Sequence, residues 1–513
     1  MSTANICIIL AIVVYLVGML AIGAANSRRN KTAGDFYLGG RKLGPVVIAM
    51  STEASDMSSW LLMGVPGLAY FCGLAEAVWT VVGLAVGTYL NWLIVAKRLR
   101  SYSARLGAIT IPDFFSHRFG DRSGLIEGIA ALVIIVFFVP YTASGFAACG
   151  KLFTNLFPNM NYMGAMLISA AVIVGYCALG GFLAASITSL IQSFVMTIAL
   201  FVILVFGIHS AGGWSAVVAN AQTVPGYLDV FASTDITVKS LEGVGKYGFI
   251  TIVSTLAWGL GYFGMPHILN HFMAIDDANK LKISRRIGSV WVVVSMTVAI
   301  IVGIVGFAMS NSAGVIEGFT SNSAAEAILV RISRLLSEYG VIPALLGGVV
   351  LAGILSSTMS TADAQLLAAA SGVSHNIIKG VFRRELNNKQ EMAIARIAVL
   401  AVAAIAVFFA RDPNSSVFGI VSFAWAGFGA AFGPLMLFAL FWKRCNKYGA
   451  IAGMLTGGAT IFLWKFLVRP LGGAWNIYEL LPAFLAASLA IVVVSLLTKA
   501  PDKAIVEEFE SVA

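Results

Sequence analysis

The chain has 513 residues, of which 59% are hydrophobic and 11% charged, and its formal net charge is +9. Soluble proteins carry about a quarter charged residues, so the composition argues against a water-soluble protein. Apolar runs of about 20 residues recur along the sequence and indicate a polytopic α-helical membrane protein. The loops between them are short enough for one membrane domain with no separate soluble one. Cys7, Cys72, Cys149, Cys177 and Cys445 lie in or beside apolar runs with no CxxC pair. They read as small apolar side chains, not as a disulfide or metal framework.

A first spanning helix is predicted over 4–25. It lacks a basic leader and an obvious cleavage site, so it reads as a retained helix and not a signal peptide. The following loop carries Arg28, Arg29, Lys31, Arg41 and Lys42. Further helices are predicted at roughly 45–71, 76–97, 124–153, 161–180, 182–208, 247–274, 288–310, 341–370, 391–410, 416–442, 447–467 and 476–498, thirteen in all. With the N-terminus outside and the C-terminus inside, 25 of the 33 Lys and Arg fall in inner segments, as the positive-inside rule requires. The basic excess is therefore a topology signal, and no nucleic-acid partner is expected. Residues 323–338 read as an amphipathic surface helix over an outer vestibule.

Three predicted helices hold most of the polar residues at membrane depth. The first contains Ala54-Ser55-Asp56-Met57-Ser58-Ser59-Trp60, followed by Gly64-Val65-Pro66-Gly67. A carboxylate there is expensive and usually functional, and Gly and Pro free backbone carbonyls that need partners. The second, at 258–272, is broken by three Gly and Pro266 and is rich in aromatics, including Trp258 and Tyr262. The third, at 356–365, places Ser357, Ser360, Thr361 and Ala364 on one helix face. Without the first helix, the two broken helices are the first of five (45–208) and the first of the next five (247–442). Interrupted helices at matching places in two halves point to a transporter binding site. Five is odd, so the second half is inverted. The expected organisation is an extra helix and cytoplasmic loop (1–44), a first repeat (45–208), an outer loop (209–246), a second repeat (247–442), two further helices (443–498) and a cytoplasmic tail (499–513).

Over nearly its whole length the sequence resembles the sodium/solute symporter family. The resemblance is carried by LGGRKLGP at 38–45, ASDMSSWLLMGVPG at 54–67, WGLGYFGMPHIL at 258–269 and SFAWAGFGAAFGP at 422–434. It implies an all-α, five-plus-five inverted repeat of the leucine-transporter type, with one helix before and two after. It implies a Na⁺ site on the carbonyls of Ala54, Met57 and Ser357 and the hydroxyls of Ser360 and Thr361, with Asp56 essential nearby and Ser58 beside it. The proline pocket of the nearest branch carries over onto Trp60, Tyr141, Trp258, Tyr262 and Pro266, with Ser58 and Ser59 adjoining. The implied activity is Na⁺-coupled uptake of L-proline across a bacterial plasma membrane. The alternative is another small amino or carboxylic acid. No cofactor is expected beyond Na⁺, for which Li⁺ substitutes in the family, and the partners are lipid and solute, with a monomer as the functional unit.

Three departures from the family pattern stand out. Glu53 occupies a position where the proline branch has a small residue, as a second buried carboxylate or a group facing cytoplasmic water. Ser59 replaces a glycine at the expected point of unwinding. Many relatives carry an aspartate where Ser189 stands, and some use it in a second Na⁺ site, whereas here Asp363 stands where they often have serine, so a second cation site is expected to use Asp363, Ser189 and Ala364. His267 and His271 lack a third partner for a metal and read as structural or gating residues. A sensor is not expected, because 15 residues after the last helix leave no room for a fused kinase. A channel would repeat one filter motif, and an enzyme would need a nucleophile–base pair or metal cluster. Neither pattern is present.

Overall fold

The computed structural model describes residues 2–27, 32–157 and 159–512. Arg28, Arg29 and Lys31 of the first basic loop lie outside the described residues. The chain is almost wholly helical. Helix α1 spans Thr3–Ser27. The first broken helix comprises α2 (Pro45–Ser59), a π-helical turn over Trp60–Gly64, and α3 (Val65–Cys72). Next come α4 (Leu74–Leu90), α5 (Leu125–Leu156) and α6 (Tyr162–Ser210). The second broken helix is α7 (Phe249–Leu256), a 3₁₀ segment at Ala257–Gly264, and α8 (Pro266–Ala274), with a bend of 47°. Further along the chain are α9 (Leu281–Asn311), α10 (Ile328–Ser337), α11 (Val341–Ser371), α12 (Asn388–Phe409), α13 (Val417–Phe441), α14 (Lys447–Leu463), α15 (Leu480–Leu497) and α16 (Lys503–Glu510), with shorter helices at Ala33–Leu38, Ala96–Arg105, Ile111–Arg118 and Trp214–Ala221 between the long ones.

Among the described residues, ten helices are long and apolar enough to cross a membrane, or eleven with the bent pair counted as one span. This is fewer than the thirteen expected, for identifiable reasons. The α2–α3 stretch carries Glu53, Asp56 and a run of hydroxyls, which lowers its hydropathy. The segments expected at 161–180 and 182–208 run on as α6, with a kink where Gly181 adopts φ 65°, a conformation open to glycine.

Helix α11 organises the interior. It is buried on every side from Val350 to Ser371 and packs on α6, α1, α2 and α5. Its hydroxyls and Asp363 therefore face protein, not lipid. The outward face of the bundle carries aliphatic side chains such as Val14, Val205, Leu400 and Leu489, all exposed, as a lipid-facing surface requires. Helix α4 meets the 3₁₀ segment backbone to backbone. A Cβ on Gly259 would lie 2.2 Å from the Gly83 carbonyl oxygen, and one on Gly87 would lie 2.4 Å from Gly259. Only glycine permits that approach.

The amphipathic stretch expected at 323–338 forms a short turn at Asn322–Ala325 and then α10, which packs on α11. Between them lies Glu326, 1% exposed. Its carboxylate accepts from Lys151 Nζ at 2.7 Å, Ser416 Oγ at 2.9 Å and the backbone N–H groups of Val417 at 3.1 Å and Phe418 at 3.0 Å. One side chain thus caps α13 and pairs with a buried ammonium on α5. At the other end of the molecule, Phe509 of α16 sits 4.9 Å from the Arg98 guanidinium and 4.7 Å from that of Arg118.

Candidate functional site

The break in the first helix lies at Ser58, with φ 47° and ψ −170°. A non-glycine residue there is strained. The strain is offset locally, because Ser58 Oγ accepts the Trp60 N–H at 3.1 Å. Gly64, Pro66 and Gly67, the expected breakers, are helical or in the π-turn. Gly67 instead provides close packing, since a Cβ there would stand 2.8 Å from the Glu326 backbone nitrogen.

Four of the five residues expected to ligate Na⁺ converge between α2 and α11. Ser360 Oγ donates to the Ala54 carbonyl at 2.7 Å and lies 3.2 Å from the Ser357 carbonyl, to which Thr361 Oγ1 donates at 3.0 Å. All four residues are buried. The cluster is oxygen-rich and carries no charge of its own, a donor set suited to a hard monovalent cation. The Met57 carbonyl accepts the Trp60 N–H instead. Asp56 faces the other way. Its Oδ2 accepts the Tyr262 O–H at 2.6 Å, and its carbonyl accepts from Tyr141 at 3.4 Å. The two broken helices are thereby joined at their breaks.

Beside that junction is a small cavity of about 20 Å³, lined by Asp56, Met57, Trp60, Leu84, Tyr141, Trp258, Tyr262, Met296, Val421 and Trp425. That volume admits about one water, so the side chains are drawn together in this conformation. Four of the five expected pocket residues, Trp60, Tyr141, Trp258 and Tyr262, line it. Pro266 does not. It is the first residue of α8, where its missing N–H costs nothing. Ser58 holds the break, and Ser59 is fully buried with Oγ unpartnered; neither lines the cavity.

An aromatic stack closes one side. Trp258 packs on Phe418 at 5.3 Å and on Tyr478 at 5.0 Å, and Trp60 stacks on Phe418 at 5.9 Å. Trp425 Nε1 donates to the Trp258 carbonyl at 2.8 Å and its ring meets Tyr262 edge-on at 5.0 Å. Tyr478 is itself fixed, its N–H donating to Ser254 Oγ and its O–H to the Ser422 carbonyl, each at 2.7 Å. Sequence reasoning missed Phe418, Trp425 and Tyr478. Trp425 at least lay within the quoted 422–434 motif. Tyr478 carried no local signal, because it precedes a helix outside the repeat.

The two extra carboxylates are also placed. Glu53 is fully buried and accepts from Trp92 Nε1 at 2.8 Å and Thr88 Oγ1 at 3.3 Å, so it does not face water. Asp363 is buried, and the Cys177 thiol donates to its Oδ1. Cys177 is on α6 before the Gly181 kink and Ser189 is after it. Ser189 and Ala364 are buried too. Cys177, read from the sequence as a small apolar side chain, is thus a polar partner of the carboxylate.

Comparison with known proteins accords with this geometry. The model of the sodium:solute symporter family matches residues 36–457. The chain belongs to that family. It is 41% identical over 503 residues to a sodium/proline symporter of Haemophilus influenzae, covering 97% of this chain and 96% of that one. It is 39% identical over 499 residues to an osmoregulated proline transporter of Bacillus subtilis, with coverages of 97% and 96%. It is also 39% identical over 498 residues to the sodium/proline symporter of Escherichia coli, with coverages of 97% and 94%. Among solved structures, a substrate-bound, outward-open Na⁺-coupled sialic acid symporter shares the fold. Its TM-score is 0.77 at 16% identity, covering 97% of this chain and 99% of that one. A nucleobase-cation-symport-1 family transporter in a closed conformation is more distant, with a TM-score of 0.51 at 14% identity and coverages of 94% and 99%.

Proposed function

We propose that this protein takes up L-proline across a bacterial plasma membrane, driven by Na⁺, through alternating access. The observation that carries the reading is the meeting of two broken helices at Asp56 and Tyr262. An aromatic cavity lies on one side of that junction and an uncharged oxygen cluster lies between α2 and α11. The full-length similarity to sodium/proline symporters supports the choice of substrate.

Na⁺ binds among the Ala54, Met57 and Ser357 carbonyls and the Ser360 and Thr361 hydroxyls. In this conformation the Ser360 hydroxyl donates directly to the Ala54 carbonyl. Binding turns that proton away, so that both oxygens face the cation. The hydrogen bond between α2 and α11 is then replaced by a stronger electrostatic bridge. This orders the strained turn at Ser58 and sets Trp60 against the substrate. Proline, net neutral, has its ring held by Trp60, Tyr141, Trp258 and Tyr262. Each Na⁺ that moves with net-neutral proline makes transport electrogenic, and a membrane potential adds about 2.3 kcal/mol per charge per 100 mV. Li⁺ fits the same oxygen set. Asp363 provides a second cation site together with Ser189 and Ala364.

The architecture that goes with this reading has thirteen membrane helices, N-terminus outside and C-terminus inside. The two repeats occupy 45–208 and 247–442, joined by the outer loop 209–246. Residues 1–44 precede them, and the helices of 443–498 and the tail 499–513 follow. The monomer is the functional unit. Uptake of radiolabelled proline into proteoliposomes, with and without a Na⁺ gradient and with unlabelled amino acids as competitors, tests the proposal. Proline uptake indifferent to the gradient overturns it, and a stronger competitor than proline reassigns the substrate.

A further inference from the structure

His267 is the second residue of α8 and is 1% exposed. Neither ring nitrogen has a hydrogen-bond partner. A neutral imidazole presents one N–H donor and one acceptor nitrogen, and burying both unpaired forfeits their hydration with nothing in return. Such groups in a native structure call for an explanation. His271, one turn on, shows the ordinary arrangement, with its Nδ1 donating to the His267 carbonyl at 2.7 Å. Asn270, three residues on from His267 and also buried, leaves its Oδ1 unpartnered.

The start of α8 has the same character. No side chain caps it, and Pro266 is its first residue. The first-turn N–H groups and the positive end of the helix dipole therefore lie at the end of α8 that adjoins the 3₁₀ segment bearing Tyr262. The neighbours of His267 define its place. Its ring lies 5.8 Å from that of Phe138 and 6.4 Å from that of Tyr141, and Tyr141 is a wall of the central cavity. His267 thus stands one side chain behind the cavity. From there α8 leads away to Ala274 and the basic segment at 275–287, on the face assigned above to the cytoplasm.

We propose that His267 and the uncapped first turn of α8 form a transit site for the carboxylate of the amino-acid substrate on its way to the inner face. The ring N–H and the helix N–H groups donate to the carboxylate after Tyr141 moves aside, and they are left unpaired when the pathway is shut. The inference rests on the proline reading above. It adds a second stopping point that serves release and not capture.

The test compares His267→Leu, which removes both ring nitrogens at similar volume, with His267→Gln, which keeps an N–H donor. Na⁺-driven proline transport is measured from each face in right-side-out and inside-out vesicles. The expected result for His267→Leu is a kcat for uptake lowered about tenfold, with the external KM within about twofold of wild type and the inner-face KM raised about tenfold. His267→Gln recovers most of the kcat, and the half-saturating Na⁺ concentration is unchanged in both. A wild-type kcat and inner-face KM in His267→Leu, or a KM raised equally at both faces, overturns the assignment. Trp258→Ala, measured alongside, separates the two readings. If it leaves the external KM unchanged, the proline pocket is wrong; if it raises that KM while His267→Leu is silent, only the transit site fails.

Discussion

The phenol of Tyr262 and the carboxylate of Asp56 are joined by a hydrogen bond of 2.6 Å across the gap between the two broken helices. Both residues are buried, and both border the cavity. Each broken helix thus contributes one end of the bond nearest the site. Tyr262→Phe removes the donor and keeps the ring. A buried acceptor left unsatisfied costs about 1–3 kcal/mol, and here it lies in the wall of the cavity, so proline affinity is expected to fall about tenfold. Asp56→Ala also removes the partner of Tyr262, and Na⁺-dependent uptake is lost. Initial rates over a grid of Na⁺ and proline concentrations check both. Wild-type kinetics in Tyr262→Phe would mean that the bond is incidental.

Na⁺ and proline use different residues, so their affinities separate by mutation. Ser360→Ala removes a hydroxyl that reaches the Ala54 carbonyl at 2.7 Å, and it raises half-saturating Na⁺ about tenfold with little change in proline KM at saturating Na⁺. Trp258→Ala does the reverse. Equal losses for both ligands in both variants would mark these residues as structural.

Tyr478, just ahead of α15, holds Trp258 in place, stacked on it at 5.0 Å. Tyr478→Leu raises proline KM several-fold and leaves half-saturating Na⁺ as it was. Tyr478→Phe keeps the stack, loses only the bond to the Ser422 carbonyl, and falls in between. A wild-type KM in Tyr478→Leu would show that the stack does not bear on substrate.

The Lys151–Glu326 pair is buried, with side-chain exposures of 8% and 1%. Breaking a buried pair by removing one partner costs about 3–5 kcal/mol, whereas replacing both is far milder. Thermal unfolding of purified Glu326→Ala is therefore expected to begin well below that of wild type, with Lys151→Met/Glu326→Leu intermediate. A double variant less stable than the single would contradict the ion-pair account.

Asp363→Ala tests the second cation site. A fall in the number of Na⁺ ions moved per proline, read from charge and solute flux together, is the expected result. An unchanged stoichiometry would leave Asp363 as a structural partner of Cys177.

The sequence shows where its helices must break far better than how. Asp56 at membrane depth, and the Gly and Pro of 258–266, announce two interrupted helices because those residue types are costly in an uninterrupted span. The break itself falls at Ser58. Nothing in residue type marks a serine for positive φ, and its own hydroxyl makes the conformation tolerable by catching the Trp60 N–H. The face of Ser357, Ser360 and Thr361 was legible from spacing alone. Tyr478 and Phe418 were not, since their roles arise from tertiary stacking between distant segments. Glu53 was ambiguous because burial on α2 is decided by Trp92 and Thr88, contributed by another part of the chain.

Gly83 and Gly87 belong to α4 and Gly259 to the 3₁₀ segment of the second broken helix, and they touch through bare backbone. Elements packed through interdigitated side chains must lift those side chains out of their grooves before they can shift. Here there are none to lift. Such a seam leaves α4 and the 3₁₀ segment able to shift along each other at constant separation, as the shear type of motion requires. Any residue larger than glycine at 259 is a wedge, and it would slow the exchange between faces even where both binding sites remain intact.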